Sequence, residues 1–294
     1  MDFLHALANR DYKTIARLIS LAENQVPGIE KTLRGLSQQS VPVIGITGPP
    51  GAGKSTITDA LIGQIVAEDK TVAVLCVDPS SPFNLGALLG DRIRMSNWYT
   101  HPNVFIRSLG SRGSLGGLQA GIVDVMHILK AAAFDYILVE TVGVGQSEIE
   151  IAGLADLTVM ILVPEAGDDI QTLKAGIMEV ADLFVVNKAD RPAADTFIKN
   201  LAAALSFKPG NKQVPILKTI ASQKEGTAEL FATIKKHWIS GISNDKKNWL
   251  LAEKAFLLIQ QKRMKDITRV RLYEEIKQTG ITNLYTLVAK YMTE

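Results

Sequence analysis

At 294 residues, 47% of them hydrophobic, the chain has enough apolar side chain to fill the core of one large domain with additions at its ends. Its formal net charge is only +2, and its Lys and Arg residues are spread along the chain rather than gathered into runs, which speaks against nucleic acid as a partner. No apolar run approaches the roughly 18 residues of a membrane span, so a membrane is not expected as a partner either.

The first residues mix Asp2, His5, Arg10, Asp11 and Lys13 with apolar positions and lack a basic segment followed by an apolar one. Neither a secretory signal nor a transit peptide is expected, and a cytoplasmic protein is. Residues 1–40 place Phe3, Leu4, Ile15, Leu18, Ile19 and Leu21 at helical spacing, interrupted by Pro27-Gly28, which predicts two or three short helices. Apolar runs then recur at 41–47, 71–77, 104–109, 136–140, 158–163, 183–187 and 214–219, most of them followed by Gly, Pro, Asp or Ser and then by helix-like sequence. The only cysteine, Cys76, lies in the second run, reads as a small buried hydrophobe and excludes an intrachain disulfide. Strands alternating with helices predict an α/β fold, a mostly parallel sheet covered on both faces, whose ligands bind beyond the carboxyl ends of the strands.

From about residue 227 the sequence is helical again, and 246–278 is long, amphipathic and heavily charged. It is either a solvated helix lying on the domain or an arm that binds a second subunit. The stretch from Trp249 to Tyr273 carries Leu250, Leu251, Phe256, Leu258, Ile259 and Ile267, more apolar surface than a free helix leaves in water, which favours a homodimer. The expected division is a helical extension over 1–40, a main domain over 41–243 and a helical dimerisation arm over 244–294.

After the first run stand Gly48, Pro49, Pro50, Gly51, Ala52, Gly53, Lys54, Ser55 and Thr56, followed by a helical pattern. Strand, Gly-rich loop and helix in that order make a phosphate-binding loop of the P-loop NTPase type, because curled backbone N–H groups and a helix N-terminus converge on phosphate oxygens. Lys54 supplies the point charge between β- and γ-phosphates, and the Ser55 hydroxyl ligates Mg²⁺. At the end of the sixth run stand Asn187, Lys188, Ala189 and Asp190. A carboxylate has only acceptors, so Asp190 can pair both the N1–H and the N2 amine of guanine; adenine offers no such pair. Lys188 would lay its stem over the base and Asn187 would brace the loop. Ile220, Ala221 and Ser222, after the seventh run, stand where a last, largely backbone contact to the base is expected. GTP and GDP are thus the expected ligands.

Two acids at strand ends are candidates for the magnesium site, Glu140 with Gly143 and Gly145 after it, and Asp78 before Pro79. Each reads alternatively as a turn or cap acid. Asp91, beside Arg92 and Arg94, reads equally as half of a salt bridge.

Glu140-x-x-Gly143, in place of the commoner Asp-x-x-Gly, resembles the branch of P-loop GTPases that assists metallocentre assembly. Within that branch, the segments 78–82, 88–95, 113–118, 140–148, 166–168 and 175–179 together resemble the MeaB/ArgK GTPases that serve the adenosylcobalamin-dependent methylmalonyl-CoA mutase, over about residues 40–225. The resemblance implies that Asp78, Asp91 and Glu140 serve the magnesium, that 78–95 and 140–148 are switches and that 163–174 is a further mobile segment. It also implies that Lys174 swings toward the phosphates when the partner binds. Glu165 departs from the glycine expected there. The implied function is a GTP-hydrolysing chaperone that gates cofactor loading and protection of the mutase. Two alternatives are a kinase of periplasmic amino-acid transport proteins, suggested by the ArgK name, and a nickel-type metallochaperone. Against the second, His5, His101, His127 and His237 are scattered and Cys76 stands alone, so no ligand set is visible.

Overall fold

A computed structural model describes residues 3–78, 95–110, 121–141, 151–167, 181–206, 214–241, 244–264 and 266–292. All seven apolar runs are strands: β1 (Val43–Thr47), β2 (Val72–Asp78), β3 (Val104–Gly110), β4 (Tyr136–Thr141), β5 (Leu157–Leu162), β6 (Leu183–Asn187) and β7 (Ile216–Thr219). They form one sheet in the order β3-β2-β4-β1-β5-β6-β7, with every pair parallel. Parallel strands buried on both faces need apolar residues at consecutive positions rather than at alternate ones, which is why the runs were unbroken. In β1, Val43 packs on one face while Ile44 and Ile46 pack on the other.

Among the described residues the helices are α1 (Phe3–Ala8), α2 (Tyr12–Glu23), α3 (Ile29–Arg34), α4 (Lys54–Ala67), α5 (Gly121–Ala131), α6 (Ala194–Ser206), α7 (Thr227–Ile239), α8 (Asn244–Arg263), α9 (Arg269–Thr279) and α10 (Leu284–Met292). The first face carries α2 and α5, with Ile15, Leu18, Ile19, Val125, Ile128 and Leu129 in one buried cluster. Tyr12, Phe105 and Phe134 meet there at centroid distances of 5.5–6.1 Å, the spacing of favourable aromatic pairs. Asp11 starts α2 by accepting the Thr14 N–H, and Arg107 of β3 pairs with Glu23 at its end. The opposite face is covered by α4 and α7 through Ile57, Leu61, Ile62, Leu230 and Phe231. At the far edge α6 packs on β6 through Phe197 and Leu201.

The charged C-terminal stretch is not one helix: α8 ends at Arg263 and α9 begins at Arg269. Thr268 takes an extended backbone, with φ −106° and ψ 152°, and its hydroxyl accepts the Arg271 N–H, so it caps a new helix instead of continuing the old one. Leu250 of α8 is buried, Leu257 and Leu258 pack on the first face, and Lys262 donates to Glu30 at 3.0 Å. Trp249, Leu251, Phe256 and Ile259 of the same helix are exposed, as are Val270, Tyr273, Leu284 and Tyr285 beyond it. Burial also acts on Lys254, whose ammonium is held below the ordinary lysine pKa, first by loss of water and then by the nearby charge of Lys130. Among the described residues no helix is long and apolar enough to cross a membrane.

Candidate nucleotide site

The loop 48–53 joins β1 to α4 at the carboxyl end of the sheet, with two glycines in conformations and spaces that no other residue fits. Gly48 has φ +143°, and a Cβ there would lie 2.1 Å from the Ile161 carbonyl oxygen of β5. Gly53 has φ +90°, and a Cβ there would lie 2.3 Å from Asn187 Nδ2. The loop is therefore pressed onto two neighbouring strands. Lys54, the first residue of α4, is buried, and its ammonium donates to the carbonyls of Gly48 and Pro49 at 2.8 and 2.9 Å, which puts its charge within the curl of the loop.

Glu140 comes to the same place from β4, whose register sets it beside Ile46 of β1. It is 4% exposed, and both its carboxylate oxygens accept hydroxyl protons from α4. Ser55 Oγ donates to Oε1 at 2.6 Å and Thr58 Oγ1 to Oε2 at 2.8 Å. One residue further along each strand, Thr141 donates to Thr47 at 2.9 Å. A hydroxyl and a carboxylate this close are hard oxygen donors, and they stand next to the glycine loop and the Lys54 ammonium. That set fits a magnesium ion, which takes one or two protein carboxylates and fills its octahedron with phosphate oxygens and water. Asp78 ends β2, and its backbone is in register with Gly110; β2 is the next strand beyond β4. Asp91 and Lys174 lie outside the described residues.

The third part comes from β6 and β7. Asn187 ends β6, is 3% exposed and makes three hydrogen bonds: Nδ2 donates to Ala52 O at 2.9 Å, while Oδ1 accepts from Thr219 Oγ1 and Ala221 N, both at 3.1 Å. Lys188, at φ +55°, donates to Gly51 O at 2.8 Å, and Ala189 N donates to Thr219 O at 3.1 Å. Ala52 and Gly51 of the glycine loop, residues 187–189 and residues 219–221 are thus tied into one rim. Asp190 follows on the exposed side, in a turn closed by Arg191 N and Lys188 O at 3.1 Å. Ile220 is half-buried and bonds Glu225 through its backbone, whereas Ser222 is exposed.

Two features were not apparent from the residues in order. Thr58 was missed, although Ser55 and Thr58 are three apart on a helix and so share a face. Glu165, where a glycine was expected, pairs with Arg191, and this hydrogen bond, more than any other cause, holds the Glu165 carboxyl below the usual carboxylate range. Residue 165 is thereby linked to the turn that carries Asp190.

Residues 15–278 match the protein family described as methylmalonyl Co-A mutase-associated GTPase MeaB. The chain belongs to the MeaB family. A putative GTPase of Pyrococcus abyssi is 42% identical to this MeaB chain over 287 residues, covering 94% of this chain and 82% of that protein. A MeaB-like stretch also lies within a longer protein, the fused isobutyryl-CoA mutase of Geobacillus kaustophilus. It is 36% identical over a 252-residue alignment covering 79% of this chain and 23% of that protein. Among solved structures, the LAO/AO transport system kinase superposes with a TM-score of 0.69 at 24% identity, covering 99% of this chain and 95% of that one. At that identity the likeness carries the fold and not the kinase name.

Proposed function

We propose that this MeaB-family GTPase is cytoplasmic, binds GTP and GDP with Mg²⁺ and hydrolyses GTP slowly on its own. We propose further that it uses the two nucleotide states to gate cofactor loading and protection of an adenosylcobalamin-dependent methylmalonyl-CoA mutase. The nucleotide part is carried by one observation, the meeting of Ser55 with Glu140 at 2.6 Å beside a lysine already inside the glycine loop. In this reading residues 48–56 wrap the phosphates, Lys54 neutralises their charge, Asp190 pairs the guanine edge, and Asn187 and Ala221 hold the loops that carry the base. Ser55 and Glu140 hold the magnesium, with Asp78 and Asp91 as further carboxylates of that site; when bound, the ion neutralises charge developing on the transferred phosphoryl group. Lys174 belongs to the segment assigned to approach the phosphates.

The mutase part is supported by the relative in which a MeaB-like stretch is fused within an isobutyryl-CoA mutase. A domain joined covalently to a mutase in one protein is a reasonable separate partner of a mutase in another. The exposed apolar side chains of α8, α9 and α10 support residues 244–294 as an arm that pairs two copies of the chain, with residues 41–243 as the nucleotide-binding unit. GTP can change mutase affinity only if it favours one arrangement of 78–95, 140–148 and 163–174 over another, and linkage then obliges the mutase to change GTP affinity by the same factor. Calorimetric binding and GTP turnover, each with and without purified methylmalonyl-CoA mutase from the same organism, test the whole reading. Nucleotide-dependent binding is the expected result. No binding in any nucleotide state would remove the mutase while leaving GTP binding to stand.

A further inference from the structure

Thr58 is fully buried on α4, the helix whose Ile57, Leu61 and Ile62 belong to the core of that face, and a valine of the same shape would take its place without a polar atom. A hydroxyl in such a place costs stability unless it is hydrogen-bonded. It has two acceptors in reach, Lys54 O at 3.0 Å and Glu140 Oε2 at 2.8 Å, and a single proton to give. Lys54 O is a helix carbonyl one turn back, in the ordinary helical ladder. The carboxylate is charged, and a charged acceptor makes the stronger bond. The proton therefore belongs mainly to Glu140.

We infer that Thr58 is a positioning residue for Glu140, fixing Oε2 so that Oε1 stays turned toward Ser55, the hydroxyl assigned to the magnesium. This rests on the reading of Ser55 and Glu140 as a metal site. A glutamate carboxyl rotates about its last torsion over a broad, two-fold well, and a hydroxyl held on Oε2 narrows that rotation. Ser55 and Thr58 stand one helical turn apart, and β4 brings Glu140 level with both. The two hydroxyls therefore grip the two oxygens separately, and the orientation of the carboxylate is set by α4, the same helix that begins with Lys54. The protein thus has a side chain one helical turn beyond Ser55 that sets how well Ser55 and Glu140 act together on one ion.

The experiment measures GDP affinity by calorimetry on the full chain, in EDTA and across a Mg²⁺ series, for the wild type, Thr58→Val and Thr58→Ser. In EDTA the variants should bind within about twofold of the wild type, because the phosphate loop is untouched; this also reports an intact fold. The Mg²⁺ concentration giving half of the tightening should rise about tenfold in Thr58→Val, the low end for losing one hydrogen bond to a charged group. Thr58→Ser, which keeps the hydroxyl and loses only the methyl, should return it to within about twofold of the wild type. A merely structural role would move stability and leave the Mg²⁺ requirement alone. An unchanged Mg²⁺ series in Thr58→Val, or no recovery in Thr58→Ser, overturns the assignment of Thr58 alone. A wild type whose GDP binding ignores Mg²⁺ overturns the metal site and Thr58 with it. Should the valine variant fail to fold, Thr58→Ala is read in the same series with the same outcomes.

Discussion

Replacing Asn187 by alanine is expected to loosen the rim that joins three loops, by an amount that can be worked from its bonds. The side chain gives one hydrogen bond to Ala52 O and takes two, from Thr219 Oγ1 and Ala221 N. At about 1 kcal/mol net for each, the loss is about 3 kcal/mol, with water entering the vacated space to limit the penalty for the partners left behind. For a domain of this size 1 kcal/mol is worth about 2–4 °C, so the melting temperature should fall by about 6–12 °C. Thr219→Val removes only one of the three bonds and should cost about 2–4 °C. Because the two variants share that bond, the double variant should be less destabilised than the sum of the singles by about 1 kcal/mol. Thermal or denaturant melts of the four proteins measure all of this. A melting temperature for Asn187→Ala within about 2 °C of the wild type, or strict additivity in the cycle, would refute the bonding scheme.

Asp190→Asn replaces an acceptor by an amide, so GTP should bind at least about tenfold more weakly while xanthosine triphosphate gains, and equal GTP affinity by calorimetry would sink the assignment of Asp190. Lys54→Ala and Glu140→Ala should each lower GTP turnover by about a hundredfold or more with an almost unchanged circular-dichroism spectrum, since both act on ligand charge rather than on the sheet. The third test is of Lys254. Its pKa is depressed in the folded chain, so the unfolded chain binds the proton more tightly, and folding is opposed at neutral pH and relieved as pH rises through the folded value toward 10.5. Lys254→Met should therefore raise the melting temperature at pH 7, and the gap to the wild type should close as alkaline pH is approached; a variant that melts lower at pH 7 would show that the charge is needed there.

The strands were legible because burial on both faces leaves a continuous apolar signature, as in Val72–Asp78, which has Ala73 and Leu75 on one face and Val72, Val74 and Cys76 on the other. The break between α8 and α9 was not, because residues 264–268 contain neither Gly nor Pro; Thr268 ends the pattern by capping, a use of threonine that composition does not distinguish from a helical one. In the candidate site, the identities of Lys54, Ser55, Glu140 and Asn187 stood out in the sequence, but their mutual contacts did not. Asn187 and Ala52 are far apart along the chain, as are Thr58 and Glu140, and only the strand order β4-β1-β5-β6 brings them together. Glu165 looked like a departure from an expected glycine, and its pairing with Arg191 could not be read until both chain segments had a place.

The strand order also sets a timetable for synthesis. Of the seven strands of this sheet β1 is made first, yet its neighbours are β4, which begins at Tyr136, and β5, which begins at Leu157. At ~5–20 residues per second, Val43–Thr47 waits roughly 5–20 s with both edges unpaired before β4 exists. Gly48 waits longer still, since the carbonyl it rests against belongs to Ile161. The glycine loop, contiguous in the sequence and recognisable from nine residues, is thus among the later parts of the nascent chain to take shape. A truncated chain that ends between residues 57 and 160 carries the whole motif and lacks the Ile161 carbonyl against which Gly48 rests.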